Sequence, residues 1–170
     1  MSGYRNERSR RLVLTRIAQH GYAYKQIIGV EPYAYTLGLP AHIGHPELVV
    51  CGTSPLFGLA MVNAVVAHLR STPALDGRVR LAGEDGLPLW IAELPQGVVT
   101  ARLGAARWWR EEYHDGRPAS AKQIIISDPE SRFPWEEGCR TGYVRPQAVL
   151  LPTIAERQPD GILAQRWESP

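Results

Sequence analysis

The pattern of hydrophobic and polar positions predicts three main helices with short strands between them. Apolar side chains recur at helical spacing over residues 5–20, and arginines occupy the opposite face. A second helix is expected over residues 56–70, because Ser54 can cap it and Pro55 suits a first helical turn. A third helix is expected over residues 103–114, where helical spacing returns.

Between these helices, alternation of apolar and polar positions predicts about six strands. Two of them flank an Asp-Gly turn and are expected to pair as a hairpin. Closely spaced strands with interspersed helices favour the α+β class, with a mainly antiparallel sheet and helices packed on one side. We expect residues 1–152 to form this single domain and residues 153–170 to form a polar C-terminal tail. The predicted strands cover residues 22–30, 33–39, 47–52, 79–83, 87–94 and 122–127.

The composition excludes several classes of protein. Of 170 residues, 44% are hydrophobic and 21% are charged, as in an ordinary globular domain. Nineteen Lys and Arg against 17 Asp and Glu give a net charge of +2, which predicts no nucleic-acid partner. No apolar run approaches the roughly 20 residues that span a bilayer, and no secretory signal is recognisable. We therefore expect a cytoplasmic protein without a membrane partner, and the oligomeric state stays open.

The first segment with candidate chemistry covers residues 33–51. His45 and Glu47 are two positions apart and would share one face of a strand, with Tyr35 and Thr36 on the neighbouring strand. Imidazole titrates near neutrality and a nearby carboxylate tunes it, so this pair suits general acid–base chemistry. Alternatively, His45 and Glu47 lie at a strand end and bond the backbone of the proline-rich loop.

A metal site is a further alternative for this segment, since His42 adds a third possible donor to His45 and Glu47. Nitrogen and oxygen donors of this kind suit zinc or iron. The spacing differs from the helical H-E-x-x-H zinc motif, and Gly44 and Pro46 interrupt any helix here. We therefore predict no metal site.

The second segment with candidate chemistry covers residues 123–139. Asp128 follows a strand that is buried on both faces, and Arg132 and Trp135 lie in a loop that prolines make rigid. Arginine and an aromatic ring in an ordered loop can form a pocket for an anion or an aromatic ligand. Alternatively, the aromatic residues form a hydrophobic lid on the sheet and Asp128 caps a turn.

Several short motifs resemble those of a bacterial domain-of-unknown-function family. They are Gly29-Val30, Y-T-x-G-L at residues 35–39, G-H-P-E-L at residues 44–48, and Gln123 followed by D-P and R-F-P-W. The resemblance spans about residues 20–152 and implies one domain with a shared polar site. It supplies no reaction. The positions that match are Tyr35, Thr36, His45, Glu47, Gln123, Asp128, Arg132 and Trp135.

The first functional hypothesis is a small-molecule-processing enzyme, such as a tailoring enzyme of a bacterial specialised pathway. Elimination, isomerisation or hydrolysis would use His45 as acid or base, Glu47 to orient it and Asp128 as a second carboxylate. The cofactor is left unspecified, and a haem or flavin in the cleft is a variant of this hypothesis. The substrate would be held by Tyr35, Thr36, Gln123, Arg132 and Trp135.

The second functional hypothesis is a non-catalytic binding, immunity or sensor module. It expects His45, Glu47 and Asp128 to be scattered or to be satisfied structurally. The enzyme hypothesis instead expects the two segments to converge on one cleft, because general acid–base partners must reach the same substrate.

Overall fold

The computed structural model describes residues 6–72, 77–81 and 88–151. Six strands within these ranges form one sheet in the order β1-β2-β3-β6-β5-β4. Every neighbouring pair is antiparallel except β3 and β6, which are parallel. The strands are β1 (Ala23–Ile27), β2 (Tyr33–Leu37), β3 (Glu47–Cys51), β4 (Gly77–Arg80), β5 (Pro88–Glu93) and β6 (Ala121–Ile126).

The helices confirm the three that the spacing predicts and add shorter ones. Asn6 caps α1 by accepting a hydrogen bond from the backbone N–H of Arg8, and Ser54 caps α3 in the same way through Phe57. The short helices lie in segments without helical spacing of their own. The helices are α1 (Glu7–His20), α2 (Leu39–Ile43), α3 (Pro55–Ser71), α4 (Gln96–Arg102), α5 (Gly104–Tyr113) and α6 (Thr141–Val144), and a 3₁₀ helix spans Arg145–Val149.

The α+β class and the mostly antiparallel six-stranded sheet are confirmed, but the helices cover both faces of the sheet. Helix α3 packs on one face with alternate strand residues such as Leu48 and Ile124. Helices α1, α4 and α5 contribute to the core on the other face, which contains Val49 and Ile125. The expectation of helices on one side was wrong because β2, β3 and β6 are buried along their whole length. Strands that are apolar on both sides require cover on both sides.

Two further sequence predictions involve residues outside the described ranges. The expected hairpin is confirmed as the antiparallel pair β4 and β5, while its Asp-Gly turn lies outside the described residues. The proposed tail at residues 153–170 also lies outside them. In the described part of the chain, no helix is long and apolar enough to cross a membrane.

The side chain of Gln147 in the 3₁₀ helix takes the place of a strand neighbour for the end of β6. Its amide accepts a hydrogen bond from the N–H of Ile126 at 2.7 Å and donates to the carbonyl oxygen of Ile126 at 2.9 Å. The last paired residue of β3 in this ladder is Val50, opposite Ile124, so the side chain continues the pairing where β3 ends. This contact joins the segment after α6 to the centre of the sheet.

We expect Gln147→Ala to lower the free energy of unfolding by about 3 kcal/mol, because it leaves a buried N–H and carbonyl without partners. Urea unfolding followed by circular dichroism measures the change. The exposed Gln19→Ala is the matched control and should change stability by less than about 0.5 kcal/mol. Equal losses in the two variants would show that Gln147 does not have this role.

Candidate functional site

The carboxyl group of Glu47 is buried where β2, α2 and β3 meet. Its Oε2 accepts a hydrogen bond from Thr36 Oγ1 at 2.6 Å, and its Oε1 accepts one from the backbone N–H of Gly38 at 2.7 Å. The N–H of Leu39 lies 3.4 Å from Oε2. Thr36 Oγ1 in turn accepts a hydrogen bond from the N–H of Leu48 at 2.8 Å. One carboxyl group thus satisfies the backbone donors that begin α2.

The glycine of the Y-T-x-G-L motif has a physical reason in this arrangement. Gly38 adopts a φ of +108°, a left-handed conformation that disfavours other residues. A Cβ there would also lie 3.1 Å from the carbonyl oxygen of Gly21 and 3.2 Å from the side chain of Ile17. The conformation turns the N–H of Gly38 toward Glu47 and fixes the direction in which α2 starts.

Burial changes the titration of Glu47. It raises the pKa of Glu47 from 4.5 to about 7, although the bonds from Thr36, Gly38 and Leu39 and the positive charge of Arg110 lower it. The carboxyl group therefore titrates near neutrality.

His45, two residues before Glu47, is also buried, at 4% exposure. Its Nδ1 lies 2.7 Å from the carbonyl oxygen of Pro46. This contact to the proline-rich loop is the one that the structural alternative expects for His45.

Tyr35 and Gln123 lie in one row across the sheet, since both pair with Val49 in the strand register. The hydroxyl of Tyr35 accepts a hydrogen bond from the N–H of Ala105 at 3.3 Å. The side-chain amide of Gln123 donates to the carbonyl oxygen of Gln147 at 2.7 Å, and its Oε1 has no partner among the described residues. Both side chains are buried in the core under the helices.

Asp128 organises the loop after β6. Its Oδ1 accepts hydrogen bonds from the N–H groups of Glu130 at 3.0 Å and Arg132 at 2.9 Å. Its Oδ2 accepts from Arg132 Nε at 3.1 Å and from the N–H of Arg140 at 3.2 Å. Glu130 pairs with the guanidinium groups of Arg132 and Arg140 on the outside of the loop. Burial raises the pKa of Asp128, but these hydrogen bonds and the charge of Arg132 outweigh it, so the pKa lies below its usual range.

Trp135 belongs to an aromatic cluster that covers β5. Its ring stacks on Phe133 at a centroid distance of 4.9 Å and meets Trp90 edge-on at 5.4 Å. The guanidinium of Arg78 lies over the Phe133 ring at 5.6 Å. This is the arrangement of a hydrophobic lid on the sheet.

The structure does not bring the two segments together. Because β3 and β6 are parallel, Glu47 lies opposite Ala121 at the start of β6, whereas Asp128 comes after its end. At about 3.3 Å per residue, the two carboxyl groups are roughly 20 Å apart along the strand direction. Glu47 and Thr36 therefore form one cluster, with His45 two positions away in the chain, and Asp128, Arg132 and Trp135 form another at the opposite end of the sheet.

In the described ranges, no group of three or more His, Cys, Asp or Glu side chains is placed to hold a metal ion. His42 on α2 contacts Arg70 instead, with its Nε2 3.1 Å from Arg70 Nη2. His42, His45 and Glu47 are thus held by separate partners.

Sequence reasoning missed a cavity of about 810 Å³ between α1, β1 and α3, which we call the basic groove. It combines an apolar floor with cationic, phenolic and amide groups, and none of its lining side chains is a carboxylate. Its residues come from two separate stretches of the chain, 16–24 and 59–70, so the sequence carried only one weak signal, the tyrosines at alternate positions 22 and 24. The groove is lined by Arg16, Gln19, His20, Tyr22, Ala23, Tyr24, Leu59, Asn63, Val66, Ala67 and Arg70.

The two tyrosines of the basic groove are held as neutral phenols. The hydroxyl of Tyr22 donates a hydrogen bond to Asn63 Oδ1. Burial raises the pKa of Tyr22, while the charge of Arg70 lowers it in part. Burial also raises the pKa of Tyr24 to about 12. Both hydroxyls remain protonated at physiological pH.

The raised pKa of Glu47 predicts a pH-dependent contribution to stability. The folded state holds the proton more tightly than the unfolded state, so this contribution is complete below pH 4.5 and is lost as the pH rises to about 7. We expect the stability difference between wild type and Glu47→Gln to decrease across this window by up to about 1.4 kcal/mol per pH unit. Urea unfolding of both proteins at a series of pH values measures it. A difference independent of pH would contradict the assignment.

The network around Asp128 predicts a large loss of stability on truncation. Asp128→Ala removes the buried acceptor of three backbone N–H groups and of Arg132 Nε, which should cost about 4 kcal/mol. Because the pKa of Asp128 is lowered, this stabilisation should be present above about pH 4 and should be lost as the pH falls. Thermal unfolding, with the exposed Glu137→Ala in the same loop as control, tests it. A loss no larger than that of the control would show that the network contributes little.

The comparison with protein families confirms the resemblance seen in the motifs. Residues 16–140, about three quarters of the chain, match the model of a domain of unknown function, DUF4262. The match covers the sheet, the basic groove and both polar clusters. Comparisons with curated proteins and with solved structures gave no match. The chain therefore belongs to the DUF4262 family, a family of domains of unknown function.

Proposed function

We propose that the protein is a non-catalytic binding or sensor module that takes up a small molecule in the basic groove. The observation that carries this proposal is the cavity of about 810 Å³, which is lined by cationic and hydrogen-bonding side chains together with apolar ones. Ligand sites are commonly concave and apolar with a few directed polar groups, and their volumes are of this order.

The two polar clusters also favour binding over catalysis. The carboxyl groups of Glu47 and Asp128 are each occupied by several hydrogen bonds from their own loops. Both are buried and lie at opposite ends of the sheet. A binding module accommodates this arrangement, whereas a shared acid–base mechanism requires both groups to reach one substrate.

A second candidate is the acid–base enzyme, and the titration of Glu47 favours it. A carboxyl group with a pKa of about 7 is suited to proton transfer at neutral pH. A cavity of about 340 Å³ lined by Pro46, Glu93 and Lys122 lies at the same end of the sheet, and the buried Glu47 is not among its lining residues. In this candidate, a small molecule in that cavity would undergo elimination, isomerisation or hydrolysis.

Thermal-shift screening against a library of small metabolites tests the first candidate. Ala67→Trp fills the basic groove, and Ala60→Trp places the same side chain on an exposed position of α3 outside it. A ligand at a hundredfold excess over its Kd adds about 2.7 kcal/mol of stability, which raises Tm by several degrees. We expect the shift in wild type and Ala60→Trp and not in Ala67→Trp.

The same ligands distinguish the two candidates. Proton NMR of each ligand incubated with wild type and with Glu47→Gln shows whether it is converted. Stable ligands support the binding module, and conversion that Glu47→Gln abolishes supports the enzyme. The absence of any stabilising ligand, or a full shift in Ala67→Trp, would contradict the proposed use of the basic groove.

A further inference from the structure

We propose that the ligand of the basic groove is an organic anion, with a carboxylate or phosphate group bound by Arg16 and Arg70 and an apolar body on the floor. This inference rests on the proposed binding function and adds the chemical class of the ligand. It also gives His42, on the neighbouring α2, the role of positioning Arg70.

The lining of the groove separates into two parts that match the two ends of such a molecule. Apolar side chains come from Leu59, Val66 and Ala67 on α3 and from Ala23 on β1. Cationic or hydrogen-bonding side chains come from all three elements around them. An apolar body would be removed from water on the first part while an anionic group is recognised by the second.

The charge in the groove lacks an internal counterion. Arg16 and Arg70 have no Asp or Glu within 4 Å among the described residues, and both line the cavity together with His20. Arg102 and Arg110, by contrast, are paired with carboxylates. The planar guanidinium fork binds carboxylate and phosphate groups with two parallel hydrogen bonds. Two such groups without a carboxylate partner complement an anion.

The side chain of Arg70 is held in place by a chain of contacts that begins at Glu47. The carboxyl group of Glu47 bonds the N–H of Gly38 and so fixes the start of α2, on which His42 lies. The His42 ring packs against Gly21, where an added Cβ would overlap it. Its Nε2 then accepts a hydrogen bond from Arg70 Nη2 at 3.1 Å. This bond requires a neutral imidazole and leaves the other guanidinium donors of Arg70 for a ligand.

Hydroxyl groups complete the polar part of the groove. Tyr24 brings its hydroxyl against α3 at Gly58, where a Cβ would come within 2.6 Å of it. Tyr22 is hydrogen-bonded to Asn63, and the positive charge of Arg70 partly lowers the pKa of its hydroxyl. Because Tyr22 already donates its one O–H to Asn63, the anionic group is assigned to the guanidinium groups, and the neutral phenols add polar surface without negative charge.

Calorimetric titration with matched probes tests the ligand class. The anionic probes are phenylacetate, phenyl phosphate and octanoate, and the neutral probe is phenylacetamide, which has nearly the shape of phenylacetate. We expect at least one anionic probe to bind saturably and at least tenfold more tightly than the amide. Ala67→Trp should abolish that binding, whereas Ala60→Trp should leave it intact.

Arginine variants test the proposed contacts. We expect Arg16→Gln and Arg70→Gln each to lower the affinity for the anionic probe at least tenfold. Arg11→Gln, at an exposed position of α1 outside the groove, should leave that affinity unchanged. His42→Ala should weaken binding, while His42→Gln, which retains an acceptor, should recover most of it. Equal loss in both His42 variants would overturn the positioning role.

The outcomes separate this inference from the proposed function. If phenylacetamide binds as tightly as phenylacetate and Arg70→Gln has no effect, the anion assignment is wrong while a small-molecule groove still stands. If library ligands stabilise the protein through the groove but no anionic probe binds, the assignment is likewise wrong. If no library compound and no probe binds, both proposals fail.

Discussion

One buried carboxyl group, that of Glu47, determines how the chain leaves β2, forms α2 and returns as β3. Its oxygens satisfy two backbone N–H groups at the start of α2 and one hydroxyl on β2. Without these bonds, the buried N–H and hydroxyl donors would lose their hydrogen bonds to water and would gain no acceptor in the protein. Desolvation of the carboxyl group opposes the arrangement, and the raised pKa of Glu47 reflects that opposition. The buried carboxyl group of Glu47 thus costs desolvation free energy, and in return it supplies acceptors to backbone N–H groups at the start of α2.

The position of α2 links this group to the basic groove. The helix has only five residues, and its direction depends on the bonds at its start. His42 leaves α2 toward Gly21 and meets Arg70 at the rim of the groove. A core interaction and a surface cavity are therefore connected through one short helix, even though no side chain belongs to both.

The sequence predicted the three long helices and most strands, because periodicity and caps are local properties. The sequence did not predict that helices cover both faces of the sheet. The apolar run before Ser127 and Asp128 nevertheless indicated a strand that is buried on both faces. Glu47 and Asp128 were recognised as important because polar residues at strand ends next to glycine or proline are conspicuous. Their separation could not be predicted, since it depends on the parallel register of β3 with β6. The basic groove could not be predicted either, because it is assembled from two separate stretches of the chain, residues 16–24 and 59–70, which only the tertiary packing brings together.

The parallel contact between β3 and β6 also has a consequence for the folding of the chain. It divides the sheet into two antiparallel halves, β1-β2-β3 and β6-β5-β4, whose own strands are closer together in sequence. The contact between the halves joins Glu47 with Ala121, which are 74 positions apart in the chain. Closing so long a loop has an entropic cost that local pairing avoids. We therefore expect each antiparallel half to gain structure before the parallel contact between β3 and β6 forms.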